Sequence, residues 1–299
     1  MNQELSVVTL NDKYEIDQGR VLISGTQALL RLPLIQREVD QLAGLNTAGY
    51  ISGYRGSPLG NYDLALAREK TRLEEAKITF QPGINEEAAA TSVWGTQQID
   101  AVPDPAFDGV FAIWYGKGPG VDRAGDALKH GNYAGSHANG GVLVVYGDDH
   151  PGKSSSIAHQ SEQALAANQI PSLYPSNVQE ILEYGLMGWA LSRYSGSWVG
   201  IKTVNETVEQ TATVDIDASG LTIERPSRDD MGGGANYQTA IIPPQMIEMT
   251  VKRQRLPLVH RFVRANNIDR NIFDSATFDS KEPGLGIVTA GKSYQDVLQ

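Results

Sequence analysis

The chain has 299 residues, 40% apolar and 20% charged, with a formal net charge of −10 and no cysteine. That length holds one large domain or two smaller ones. The acidic balance argues against non-specific nucleic-acid binding, and the lack of thiols excludes disulfides, cysteine-ligated zinc and iron–sulfur ligation within these residues. The opening Met1-Asn2-Gln3-Glu4-Leu5 has no basic region followed by an apolar one. No run approaches the ~18 apolar residues of a membrane span. A cytoplasmic protein is expected, with neither a membrane nor a nucleic acid as partner.

Strand-like and helix-like segments alternate along the chain. From Thr26 to Leu42, apolar residues at Ala28, Leu32, Ile35, Val39 and Leu42 fall on one helical face, with Pro33 predicting a kink. A strand (Ala48 to Ser52), a turn-rich loop (Gly53 to Gly60) and a charged helix (Tyr62 to Glu75) follow. Next come a strand from Ile78 to Gln81, a Pro82-Gly83 turn, and a small-residue helix from Glu86 to about Gln97. Val110 to Tyr115 and Gly141 to Tyr146 are continuous apolar runs, and Gly116 to Gly120 is a glycine-rich loop after the first of them. Leu173 ends a short strand, Val178 to Ser192 is helical, and Trp198 to Val204 is the last strand. Continuous apolar strands separated by helices predict an α/β fold: a doubly wound, mainly parallel sheet with helices on both faces.

The pattern then changes. Asp217 to Asn236 is polar and carries Gly232-Gly233-Gly234; Ile247 to Phe262 reads as a helix interrupted by Pro257. Leu285 to Gly291 predicts a new strand and Ser293 to Leu298 the start of a helix. The expected organisation is a first domain over 1–215, a connector or surface excursion over 216–283, and over 284–299 the start of a further α/β domain. The polypeptide is expected to continue beyond Gln299.

Glu86 sits where a strand has ended and a helix begins, the edge of an open α/β sheet where ligands bind. It either complements the helix dipole or is aimed at a ligand. A formal P-loop match, Gly147-Asp148-Asp149-His150-Pro151-Gly152-Lys153-Ser154, follows a strand. Its chemistry is wrong for phosphate, because Asp148 and Asp149 would face the anion and Pro151 removes an N–H donor. A nucleotide binder at 147–154 is therefore the alternative from a different class. Gly116 to Gly120 lacks the dinucleotide spacing and is either a tight turn or a place of close ligand approach. The histidines at 130, 137, 150, 159 and 260 form no metal-ligand pair, and no metal site is expected.

Taken in order, the loops form a set. Gly25-Thr26-Gln27-Ala28, GYISGYRGSPLG (Gly49 to Gly60), FQPGINEEAAATSVWG (Phe80 to Gly95), WYGKGPGVDRAGD (Trp114 to Asp126), GGVLVVYGDDHPGKSS (Gly140 to Ser155), YGLMGWALSRY (Tyr184 to Tyr194) and GIVTAGKSYQDV (Gly286 to Val297) together resemble the N-terminal part of a fused indolepyruvate ferredoxin oxidoreductase. That family belongs to the thiamine-diphosphate-dependent 2-oxoacid:ferredoxin oxidoreductases. The resemblance implies a pyrimidine-binding domain in which Glu86, not Glu87, hydrogen-bonds N1′ of the cofactor's aminopyrimidine and favours its imino tautomer. It implies cofactor contacts from Gly56, Pro58, Glu86, Gly118, Pro119 and Gly120, and a contact from Ser57 to the substrate carboxylate. Arg55 departs from the smaller or apolar residue common in relatives. The implied reaction is oxidative decarboxylation of a 2-oxoacid to an acyl-CoA, with ferredoxin as electron acceptor; non-oxidative decarboxylation is the alternative within thiamine chemistry. The Gly-Asp-Gly motif for diphosphate and Mg²⁺ is not supplied by Gly125-Asp126-Ala127 or Gly147-Asp148-Asp149. Mg²⁺ and the iron–sulfur clusters are accordingly expected on other domains or subunits, in a homodimer or larger assembly, and no turnover is expected from these residues alone.

Overall fold

The computed structural model describes residues 9–217, 220–231, 234–237, 242–272 and 285–299. Met1 to Leu5, Gly232, Gly233 and residue 284, used in the sequence reading, lie outside the described residues.

The strands are β1 (Gln18–Ser24), β2 (Thr47–Gly53), β3 (Ile78–Phe80), β4 (Gly109–Lys117), β5 (Val142–Asp148), β6 (Ser172–Leu173), β7 (Val199–Val204) and β8 (Thr211–Asp217). Six of them form one parallel sheet in the order β3-β2-β4-β5-β7-β6. The helices lie on both faces, as expected for strands that are apolar throughout: every residue of β5 and of β7 is buried. Alternate residues feed separate cores. Phe111, Ile113, Leu143 and Val145 pack under the long helices Gly25–Leu42 and Val178–Ser195, while Ala112, Trp114, Val142 and Val144 pack under Glu86–Thr96 and Gly125–Ala134.

Local chemistry fixes the helix ends. Ser24 and Gln27 form a reciprocal capping box at the start of Gly25–Leu42, and Asn177 caps Val178–Ser195 by accepting from the Glu180 N–H. The latter helix ends at Gly196 with φ +81°, a left-handed position that favours glycine.

Four segments differ from the sequence reading. Val199–Val204 is not the last strand, because β8 follows it and pairs antiparallel with β1 in a separate two-stranded sheet. The helix expected from Tyr62 to Glu75 is two, Gly60–Arg68 and Lys70–Glu75, broken at Glu69. Gly118 to Gly120 is not loop but the first turn of a helix, Gly118–Arg123, since Pro119 at an initial helical position costs no hydrogen bond. Leu285 to Gly291 forms no strand: it has no pairing partner among the described residues, and Leu285 and Val288 are exposed. Pro257 is accommodated by a wide π-turn at Val251–Arg255 that opens Leu256–Ala265 behind it. Among the described residues no helix is long and apolar enough to cross a membrane.

Candidate functional site

The sheet order creates a crevice at one edge. β2 and β4 are neighbours, yet the chain leaves β2 toward β3 on one side and leaves β4 toward β5 on the other. Loops diverge at such a switch point, beyond the carboxyl ends of the strands, and leave room for a ligand. The segments after β2, β3, β4, β5 and β7 all meet at this edge, and every sequence-predicted site residue lies on the first three.

Glu86 is the first residue of the helix Glu86–Thr96, whose N-cap Asn85 accepts from the Ala88 N–H at 2.8 Å. The Trp114 indole on β4 donates to the Glu86 carbonyl at 2.9 Å, which pins the helix start to the sheet. Glu86 is only 8% exposed, whereas Glu87 is exposed. The Glu86 side chain makes no hydrogen bond among the described residues. Its polar contact is an ion pair to Arg123 Nε at 3.8 Å, and the Arg123 side chain is itself 57% exposed. A long pair with so exposed a partner contributes little. The carboxylate therefore sits buried, at the positive end of a helix, with acceptor capacity unspent.

Gly120 explains how the carboxylate fits. A Cβ there would lie 2.7 Å from Glu86 Cγ and 2.9 Å from Oε1. Gly118 lacks a side chain for a different reason, because its position is backed by the His159 Cβ. His159 in turn reaches Asp122 with Nε2 at 3.2 Å. Pro119 is half-buried between the two glycines.

The loop after β2 leans the other way. Gly53 and Gly83 tie the β2 and β3 ends together through Gly83 N–H to Gly53 O at 2.9 Å. A Cβ on Gly56 would meet the Lys117 side chain at 2.5 Å, and Pro58 is buried against Gly147. Ser57 donates from its backbone to Ser154 Oγ at 2.9 Å, and its hydroxyl lies 3.5 Å from Asn205 Oδ1. The structure thus brings Glu86 together with Gly120, and Ser57 with the β5 and β7 loops.

The P-loop match is filled by its own side chains. Asp149 accepts from the Ser154 N–H at 2.9 Å and from Asn205 Nδ2 at 3.3 Å, where a phosphate would need free N–H donors. Burial pushes the Asp149 carboxyl up, but hydrogen bonds from the Ser154 and Lys153 backbone and from Asn205 and Ser57 outweigh it, so its pKa falls below the ordinary value. Asp148 accepts from Ser161 and faces Lys202 at 3.2 Å. Lys153 bonds to both Glu209 oxygens, at 2.9 and 3.0 Å. Titration with Mg-ATP should accordingly give no binding that Lys153→Ala removes; saturable wild-type binding lost in that variant would restore the nucleotide reading.

Sequence reasoning missed Arg123, Trp114, Lys117, Asn205 and the anchoring by Asp149. Arg123 had a signal: it stands three residues after Gly120, one helical turn on, once Gly118–Arg123 is read as a helix. Asn205 and Ser154 had none, since only tertiary structure brings them to Ser57. Among the described residues no group of three or more His, Asp or Glu could hold a metal ion.

No family model matches the chain. It is similar to the indolepyruvate oxidoreductase subunit IorA of Methanothermobacter marburgensis, with 25% identity over 274 residues, covering 90% of this chain and 41% of that protein. The subunit of the same name from Pyrococcus abyssi is 28% identical over 190 residues, covering 63% of this chain and 25% of that protein. That of Methanothermobacter thermautotrophicus is 24% identical over 273 residues, covering 89% and 40%. The chain thus spans about two-fifths, 41% and 40%, of the length of the two Methanothermobacter relatives. Among solved structures, a 2-oxoglutarate:ferredoxin oxidoreductase from Magnetococcus marinus aligns with 75% of this chain and 34% of its own at TM-score 0.47 and 17% identity. The curated relatives bear out the resemblance drawn from the motif set.

Proposed function

We propose that this chain is the pyrimidine-binding part of a thiamine-diphosphate-dependent 2-oxoacid:ferredoxin oxidoreductase acting on an indolepyruvate-like 2-oxoacid. The observation that carries the reading is Glu86: a carboxylate 8% exposed, at a helix N-terminus on the switch-point edge, with no hydrogen bond spent on the protein among the described residues. The residues fit the group. A ring nitrogen of an aminopyrimidine offers the partner such a carboxylate lacks, and Gly120 leaves the room in which that carboxylate sits.

When bound, thiamine diphosphate supplies the electron sink that decarboxylation of a 2-oxoacid requires. Glu86 holds or yields one proton at the ring nitrogen. Gly120 sets the position of that carboxylate by packing on its Cγ. Gly56 and Pro58 shape the opposite lip, and Ser57, its backbone N–H held by Ser154, would turn its hydroxyl from Asn205 to donate to the substrate carboxylate. The diphosphate and its Mg²⁺, the iron–sulfur clusters, and the sites for CoA and ferredoxin belong to other domains or subunits of the complete enzyme, a homodimer or larger.

The complete protein, supplied with thiamine diphosphate, Mg²⁺ and CoA, should reduce ferredoxin when given an aryl 2-oxoacid and should form the acyl-CoA. Release of aldehyde with no CoA adduct and no ferredoxin reduction would favour the non-oxidative decarboxylase. No 2-oxoacid turnover of either kind would overturn the proposal.

A further inference from the structure

A cavity of about 410 Å³ lies far from Glu86, between the helices Gly25–Leu42 and Lys70–Glu75. It opens at the opposite end of the sheet, because Lys77 on its rim immediately precedes β3. Arg37, another lining residue, donates to Leu45 O and Asn46 Oδ1, just before β2. Its walls carry both signs of charge: Arg31 and Arg37 line it together with Asp17 and Glu38, and Tyr14 and Leu34 add apolar surface.

Two of these groups, Arg31 and Glu38, are poorly satisfied within the protein. Among the described residues Arg31, 3% exposed, donates to one carbonyl (Ile16 O, 2.6 Å), and its Nε has no partner. Burial lowers its pKa, and the nearby Glu38 and Asp17 raise it only in part. Burial raises the Glu38 pKa, and the like charge of Asp17 raises it further. Neither carboxylate forms a hydrogen bond or ion pair with Arg31. By contrast Arg72, also on the wall, is engaged by Glu15 and Glu69 and lies over the Tyr14 ring. A buried, incompletely paired guanidinium is costly, and so is a desolvated carboxylate beside a second one. A plain anion would relieve the arginine and be repelled by the acids; a plain cation would do the reverse. One small molecule carrying both charges relieves both.

We propose that this cavity is a second ligand site for a zwitterion of the α-amino-acid class. The carboxylate meets Arg31 and Arg37, the ammonium meets Asp17 and Glu38, and the side chain rests on Tyr14 and Leu34. The site stands on these residues alone and at the other end of the sheet, so its failure leaves the role of Glu86 untouched.

Calorimetric titration of the 299-residue chain with L-phenylalanine tests it. Saturable binding is expected, weakened by about tenfold or more when the ammonium is removed (3-phenylpropionate) or the carboxylate is removed (2-phenylethylamine). Glu38→Gln, at a half-buried position, should weaken it similarly with a melting temperature no lower than wild type. Arg31→Gln, checked first for folding by circular dichroism, should do the same. No binding of L-phenylalanine at millimolar concentration would overturn the proposal. So would equal binding of either half-ligand, or wild-type affinity in Glu38→Gln.

Discussion

In the complete protein, Glu86→Gln should lower 2-oxoacid turnover by about 10²–10⁴-fold, while Glu87→Gln should stay within a few-fold of wild type. The two residues are adjacent and chemically identical, so the contrast isolates position. Glu86 is buried beneath Trp114 and against Gly120, whereas Glu87 points to solvent. Glutamine preserves the size of the Glu86 side chain and its burial but cannot cycle a proton. The side chain gives up no hydrogen bond within the protein among the described residues, so folding stability should shift by less than about 1 kcal/mol. Thermal denaturation and steady-state kinetics on both variants check the prediction. Equal loss in both would mean that the local charge, not a proton at one place, is what matters.

Gly120→Ala should separate stability from activity in a different way. Alanine is the better helix former by about 1 kcal/mol, and Gly120 lies inside Gly118–Arg123, so the backbone accepts the substitution. The added Cβ would be 2.7 Å from Cγ, 2.9 Å from Oε1 and 3.2 Å from Cδ of Glu86. All three atoms belong to the carboxylate side chain, so that side chain must move. A displacement of about 1 Å at a group that positions a proton costs on the order of 10²-fold in rate. The expected result is a melting temperature near wild type with kcat down by about two orders of magnitude. Gly60→Ala is the control, since a Cβ there meets nothing within 4 Å. Wild-type kcat in Gly120→Ala would show that the Glu86 carboxylate is not held where the account requires.

Much of this was readable before any coordinates. Spacing alone marked the helix Gly25–Leu42, and the continuous apolar runs marked β4 and β5, because those strands are covered on both faces and carry no polar alternation. Asn85 and the glutamates after it marked the start of the helix that holds the site. Gly118-Pro119-Gly120 deceived for a physical reason: two glycines around a proline favour a turn, and only the strand ahead of them and the sheet beneath them decide for a helix. β1 and β8 were missed because each buries only two side chains, Val21 and Ile23 or Val214 and Ile216, and because pairing across nearly the whole fold leaves no local trace. The contacts that hold Ser57 were illegible for the same reason: Ser154 and Asn205 come from the ends of other strands. The P-loop match was discounted from its two aspartates and Pro151, yet the employment of those aspartates, capping Ser154 and holding Ser161 and Lys202, required the structure.

The central claim is that Glu86 controls a proton on the cofactor's pyrimidine. Its most direct test is the rate of deuterium exchange at C2 of thiamine diphosphate bound to the complete protein, measured by quenched-flow NMR for wild type, Glu86→Gln and Glu87→Gln. Exchange slowed by about a hundredfold or more in Glu86→Gln, and unchanged in Glu87→Gln, is the predicted result. Exchange at the wild-type rate in Glu86→Gln, with the cofactor bound, would contradict it.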